Sequence, residues 1–238
     1  MSGGMSGEVA DGRLLRVTDL GRMGHAEAER LQEWLVEERR AGRAPDTLLL
    51  VEHDPVVTIG SAVEEAAAEV SAQLLESAGA EVRQVSRGGR ATFHGPGQIV
   101  GYPILDLRQH RRDLHWYLRS LEQVIIDALG DFGMDADREE GLTGVWSGGR
   151  KVASIGIAVR GWVTWHGFAL NLDVDARWWR MIDPCGLRPE QMGSLSDLTT
   201  PCPSRARLCN ALAGRLADVF DLRVQKIVRT ELFEESAF

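Results

Sequence analysis

RGGRATFHGPGQIVGY, Arg87–Tyr102, is the stretch on which the reading of this chain turns. Gly88, Gly89, Gly95, Gly97 and Gly101 crowd with Pro96 around Arg87, Arg90, Thr92, His94 and Gln98. Glycine admits positive φ and close approach at an entropic cost, so this density implies sharp turns or a ligand near the backbone. The stretch is entered from Val82–Val85 and left through the apolar run Ile99–Leu105. Its glycines therefore sit where one strand passes into the next. It has neither the GxxxxGK[ST] of a phosphate loop nor the GxGxxG of a dinucleotide fold.

Upstream, Thr47–Glu52 (TLLLVE) reads as a buried strand, followed past His53, Asp54 and Pro55 by the β-branched run VVTIG. Leu14–Val17 is a short strand, and Leu31, Trp34 and Leu35 give Ala26–Arg40 one apolar helical face, with Gly42 as its stop. Downstream, Asp113 is placed to cap a helix in which Leu114, Leu118, Leu121, Ile125, Ala128 and Phe132 recur at helical spacing. Gly144–Trp146, Lys151–Val159 and Trp162–Leu172, joined by turns at Ser147–Gly149 and Gly161, make an antiparallel meander. Ser204 caps a last amphipathic helix carrying Leu208, Leu212, Leu216 and Val219, and Leu222–Ile227 is a final strand. Periods of two and 3.6 alternate without regular βαβ spacing, which indicates an α+β fold with a mixed, largely antiparallel sheet flanked by helices. Residues 1–12 read as a disordered leader, and 13–238 as a single domain.

The 238 residues carry 27 basic and 35 acidic side chains, net −8, so no general basic footprint for nucleic acid or an anionic membrane exists. No apolar run approaches a membrane span, and the N-terminal segment lacks the apolar core of a signal peptide. Three cysteines are too few, and odd in number, for a disulfide framework. These features fit a reducing, cytoplasmic setting.

Cys185, between Pro184 and Gly186, is a thiol set in a loop, although a free cysteine is more often a small buried hydrophobe than a nucleophile. Cys209 reads as core and Cys202, between two prolines, stays open. Lys151 begins the otherwise apolar strand KVASIGIAV, and by spacing alone it snorkels at the strand end. A partly desolvated lysine, however, acts as a base and lowers the pKa of a neighbouring thiol, so Lys151 and Cys185 together would make a nucleophile–base pair. His94 and His166, each before a glycine, are either bases or structural hydrogen-bonders. The six histidines and three cysteines show no paired metal-ligand spacing. Residues alone therefore reach a thiol-dependent acyl-transfer candidate.

Arg87–Leu107 further resembles the signature of the lipoyl(octanoyl) transferases. The resemblance extends through HDPVVTIG (His53–Gly60), TGVW (Thr143–Trp146), KVASIGIAV (Lys151–Val159), HGFALNLDVD (His166–Asp175) and PCG (Pro184–Gly186), in the family's order across residues 47–198. It implies a biotin/lipoate protein ligase-like fold and transfer of an octanoyl or lipoyl group from acyl carrier protein to a lysine of a lipoyl domain. Cys185 would carry the acyl thioester and Lys151 would tune and assist it. Arg87, Gly88, Gly89, Arg90, Ala91, Thr92, Phe93 and His94, with Ser154, Ile155 and Gly156 and with Gly167, Phe168 and Ala169, would bind the acyl group. No metal or other cofactor is implied, because the acyl group arrives on the carrier's phosphopantetheine. The acceptors implied are lipoyl domains of 2-oxoacid dehydrogenase E2 subunits and the glycine cleavage H protein. Ala176 and Trp179 depart from the leucine and phenylalanine frequent in the family, which bears on the shape of the acyl pocket. An ATP-dependent lipoate ligase of the same fold and a non-catalytic carrier-binding module are the alternatives. Arg87, Arg90, Arg150 and Lys151, extended by Arg108, Arg111 and Arg112, are expected to form a basic island at the site entrance.

Overall fold

The computed structural model describes residues 13–61, 73–182 and 187–236. The chain runs β1 (Leu14–Met23), α1 (His25–Arg40), β2 (Asp46–His53), β3 (Val56–Ile59), β4 (Glu81–Gln84), β5 (Ala91–His94) and β6 (Gln98–Ile104). It continues α2 (Leu114–Gly130), β7 (Val145–Ser147), β8 (Arg150–Arg160), β9 (Val163–Asn171), α3 (Arg205–Phe220), β10 (Arg223–Lys226) and α4 (Arg229–Ser236). Strands β10-β1-β2-β6-β9-β8-β7 form a 7-stranded sheet in that order. Within it β1 is parallel to both β10 and β2, and every other pairing is antiparallel. The mixed, largely antiparallel sheet is thus the one expected, whereas the separate 3-stranded sheet β4-β3-β5 is not.

Central strands are buried on both faces, so their sequence is continuously apolar. In β2, Leu48 and Leu50 pack toward α2 and α3, while Leu49 and Val51 join Ala28, Leu31 and Leu35 of α1. Each such fully buried side chain contributes about 1.5–3 kcal/mol. Strand β1 is longer than the apolar run that announced it. Its polar residues find partners, as in the 2.8 Å bond from Arg16 to Glu235 and the 2.6 Å bond from Arg205 to Asp19. Asp113 caps α2 by accepting from the Trp116 N–H. The buried stripe of that helix runs through Tyr117, Leu121, Val124 and Ala128, leaving Leu114 exposed and turning Leu118 toward a cavity. Ser204 stands at the N-cap position of α3 without a side-chain bond. Helix α4 escaped the sequence reading because it buries little more than Leu232.

The glycine-rich stretch joins the two sheets. Its first half leads from β4 to β5, where the Gly88 N–H donates to the Ile157 carbonyl of β8 at 3.1 Å. Its second half leads from β5 to β6. There Gly97 has φ 81°, and an added Cβ would stand 1.9 Å from the Asp173 carbonyl oxygen. Gly95 and Gly101 similarly leave room for the rings of Phe93 and Phe168. Close approach explains these three glycines as expected, but the group that approaches is the protein itself.

Candidate active site

A cavity of about 360 Å³ opens between the two sheets and the end of α1. Along β5, strand alternation decides which of the expected residues reach it. Thr92 and His94 line it from β5, Arg87, Gly88, Gly89 and Arg90 from the loop that leads into β5, and Ser154, Ile155, Gly156, Gly167, Phe168 and Ala169 from β8 and β9. Ala91 and Phe93 do not. They point to the other side of β5, where Phe93 stacks on Trp178 at 4.6 Å and meets Trp179 edge-on at 5.9 Å. The two tryptophans, both buried, therefore brace the small sheet from behind and do not intrude on the cavity.

Lys151 lines the same cavity. Its side chain is only 5 % exposed, so it does not snorkel. Its Nζ stands 5.0 Å from the centre of the Trp146 ring, a geometry that favours the ammonium electrostatically. Gly144 (φ 139°) is packed so closely against it that an added Cβ would lie 2.6 Å from Lys151 Cε. Gly144 is held in turn by Glu122, a fully buried carboxylate that accepts from its N–H at 3.1 Å and pairs with Arg119 at 2.7 Å and Arg138 at 3.0 Å. Helix α2 thus has a role at the site that its apolar stripe did not announce. Cys185, with Pro184 and Gly186, lies outside the described residues, as does the 1–12 leader. Leu187, just after the PCG, lines the cavity.

Of the residues expected to form a basic island, Arg87, Arg90 and Lys151 line the cavity, Arg87 and Lys151 being buried and Arg90 exposed. Arg150, Arg108, Arg111 and Arg112 are exposed, and the first three have carboxylate partners, Asp197 at 3.5 Å, Asp106 at 2.7 Å and Asp113 at 3.0 Å. Arg87 lies inside the wall, donating to the Thr58 carbonyl at 2.8 Å and to Thr58 Oγ1 at 2.9 Å.

Four histidines gather at the α1 end, two of which, His25 and His53, the sequence reading did not select. The His25 and His53 rings are 5.3 Å apart, and His94 lies 6.2 and 6.0 Å from them. His166 has φ 53°, which turns its ring onto that of its neighbour Trp165 at 4.3 Å, although consecutive strand residues normally point apart. Burial pushes His25 down to about 2, His53 to about 4, and His94 and His166 to about 3. Burial thus favours the neutral form of all four near pH 7, which leaves His94 and His166 as neutral hydrogen-bonding groups in the cavity wall. Among the described residues, His25 Nδ1 and His166 Nε2 are buried without a hydrogen-bond partner. His53 holds the Met23 carbonyl at 2.8 Å and the Tyr102 hydroxyl at 2.7 Å. No group of His, Cys, Asp and Glu among the described residues is arranged to hold a metal ion.

The lipoyl protein ligase A/B catalytic domain matches residues 25–217. The chain belongs to that family. It is 53% identical over 174 residues to an octanoyltransferase of Gloeobacter violaceus, covering 72% of this chain and 74% of that one. It is 42% identical over 210 residues to an octanoyltransferase of Geobacter metallireducens, covering 88% and 95%. Among solved structures the fold is similar to lipoate-protein ligase A bound with ATP, with a TM-score of 0.77, 17% identity and coverage of 94% and 92%. It is also similar to a biotin protein ligase from Aquifex aeolicus in complex with biotin and ATP, with a TM-score of 0.54, 15% identity and coverage of 87% and 70%. At such identities the solved structures share the fold alone. Among the described residues, no helix is long and apolar enough to cross a membrane.

Proposed function

We propose that this member of the octanoyltransferase family takes an octanoyl group from acyl carrier protein onto Cys185 and passes it to a lysine of a lipoyl domain. The observation that carries the reading is a buried lysine, Lys151, in a cavity walled by Phe168, Ala169, Ile155 and Leu187, with relatives of 42% to 53% identity that are octanoyltransferases. In the first step the Cys185 thiolate attacks the carbonyl carbon of the carrier thioester. A new C–S bond forms, the bond to the phosphopantetheine sulfur breaks, and that sulfur leaves as a thiolate that takes its proton from the Lys151 ammonium, so Lys151 is neutral for the second step. Exchange between two thioesters is close to isoenergetic. In the second step the acceptor amine attacks the Cys185 thioester, forming the amide while the Cys185 sulfur leaves, and Lys151 takes the proton lost by the amine. Backbone N–H groups of the glycine-rich loop other than that of Gly88, which is engaged by the Ile157 carbonyl, stabilise the oxyanion, and the octanoyl tail gains about 0.8 kcal/mol per buried CH₂ against the apolar wall. Neither nucleotide nor metal takes part.

Intact-protein mass spectrometry after mixing with octanoyl carrier protein tests this directly. An added octanoyl group on the wild-type chain, absent from Cys185→Ala, is the expected result. If acylation of the lipoyl domain needed ATP and free octanoate and survived Cys185→Ala, the ligase reading would replace it. If no acyl group ever became attached, a binding module would. Loss of Lys151 should slow thioester formation more at pH 7 than at about pH 9.5, where an ordinary thiol is already ionised.

A further inference from the structure

A chain of hydrogen bonds crosses the protein from the cavity wall to Lys151. Gln98 Nε2 donates to the Phe93 carbonyl at 3.2 Å and to Asn171 Oδ1 at 2.9 Å, and its Oε1 faces His94 Nδ1 at 2.8 Å. Asn171 Nδ2 donates to the Gly193 carbonyl at 3.0 Å. The Gly193 N–H donates to the Lys151 carbonyl at 3.1 Å, and Lys151 bridges to Met192. His94, Gln98 and Asn171 are all buried.

The direction of this chain follows from its two backbone ends. A carbonyl can only accept, so Phe93 and Gly193 each require an amide NH₂ opposite them. Turning either side-chain amide over would set oxygen against oxygen in a buried place, at a cost of about 1–3 kcal/mol for each group left unpaired. Gln98 Oε1 is therefore an acceptor, and His94 Nδ1 must carry the ring proton. His94 Nε2 is left bare, 3.5 Å from Thr58 Oγ1. That hydroxyl receives the Arg87 guanidinium on its lone pairs, so its own proton is available to the imidazole.

From this we infer that Gln98 and Asn171 are positioning residues: they lock His94 in the Nδ1–H tautomer on the cavity wall and tie that wall to the backbone of Lys151 through Gly193. Neither side chain lines the cavity. Their effect passes through His94 at one end and Lys151 at the other. The inference rests on the acyl-transfer reading for its kinetic consequence, and on geometry alone for the tautomer.

Two isosteric variants separate the two ends. Asn171→Asp keeps the acceptor for Gln98 but replaces the NH₂ facing the Gly193 carbonyl with oxygen. It should lower kcat for thioester formation by about tenfold or more, as sub-ångström misplacement of a reacting group does, while KM for octanoyl carrier protein changes by less than about threefold. Gln98→Met removes both ends of the link and should lower kcat similarly. The double variant should be no worse than the worse single one, because both break one strut. ¹⁵N NMR of the histidine rings gives a readout that loss of stability does not mimic. Wild type and Asn171→Asp should show His94 protonated at Nδ1 only, and Gln98→Met should show a mixture of tautomers or the Nε2–H form. Multiplicative kcat losses, a loss confined to KM, or an Nε2–H His94 in the wild type would each overturn the proposal. A wild-type chain that takes no octanoyl group sinks the acyl-transfer reading instead, and the NMR result then still decides the tautomer lock.

Discussion

Two polar clusters are buried against the large sheet, and they are built on opposite principles. At the Asp46 end of β2, Asp46 accepts from Arg39 at 2.7 Å, from the Asp106 N–H at 2.9 Å and meets His110 at 2.6 Å, while Asp106 is clamped by Arg108 at 2.7 Å. That cluster is charged and closed, with each carboxylate answered by a guanidinium within the protein. At the α1 end, His25, His53, His94 and His166 are neutral, and two ring nitrogens lack partners among the described residues. The first cluster holds β2, β6 and α1 together. The second faces a cavity. The difference teaches that burial of polar groups serves the scaffold where every valence is met inside the chain, and marks a ligand-facing place where some are not.

The comparison can be broken from the charged side first. Asp46→Ala leaves Arg39 with only Gln109 at 2.8 Å and the Asp106 carboxylate at 4.0 Å, and should destabilise the protein by about 3 kcal/mol in denaturant titration, leaving octanoyl transfer by the folded fraction unchanged. Acid is the next lever. The buried histidines bind protons more weakly folded than unfolded, so below the unfolded value of about 6.5 the unfolded chain takes up more protons and stability falls as pH drops. Between about pH 6 and 5 each intact histidine should contribute a slope approaching 1.4 kcal/mol per pH unit, and above about 7 almost none, with His53→Gln reducing the slope by about one such increment in that window.

A third variant joins the two clusters' logics. Glu122 is charged and answered by two arginines, yet it also holds Gly144 against Lys151. Glu122→Gln should cost about 2 kcal/mol through weakened charge-assisted bonds, and kcat should fall with KM unmoved. A pure stability loss would return Glu122 to the scaffold. The smallest expected effect is on the open side. His25→Leu removes a ring nitrogen that is buried without a partner, so thermal stability should move by no more than about 1 kcal/mol in either direction while transfer activity drops. A large stability loss there would erase the distinction between the clusters.

Much of this was readable in advance. TLLLVE announced β2 because a strand covered on both faces must be apolar throughout, and Asp113 announced its helix because its side chain completes the first turn. Lys151 stood out as a charge opening an apolar strand. The small sheet was not readable, since β3 to β5 are only four residues each and their pairing is set by partners far along the chain. Nor were the true neighbours of Gly95, Gly97 and Gly101, because a glycine in sequence shows that something comes close without showing what.

By itself the sequence determined the local periods, the caps, the family signature and the residue types able to carry acyl transfer, because all of these depend on neighbours within a few positions. Only the tertiary structure decided that Ala91 and Phe93 turn away from the cavity while Thr92 and His94 face it, that Arg87 is walled in, and that four separate histidines meet as neutral groups. The physical reason is that burial, protonation and tautomer depend on which distant groups share the same low-dielectric space, and no short stretch of sequence contains that information.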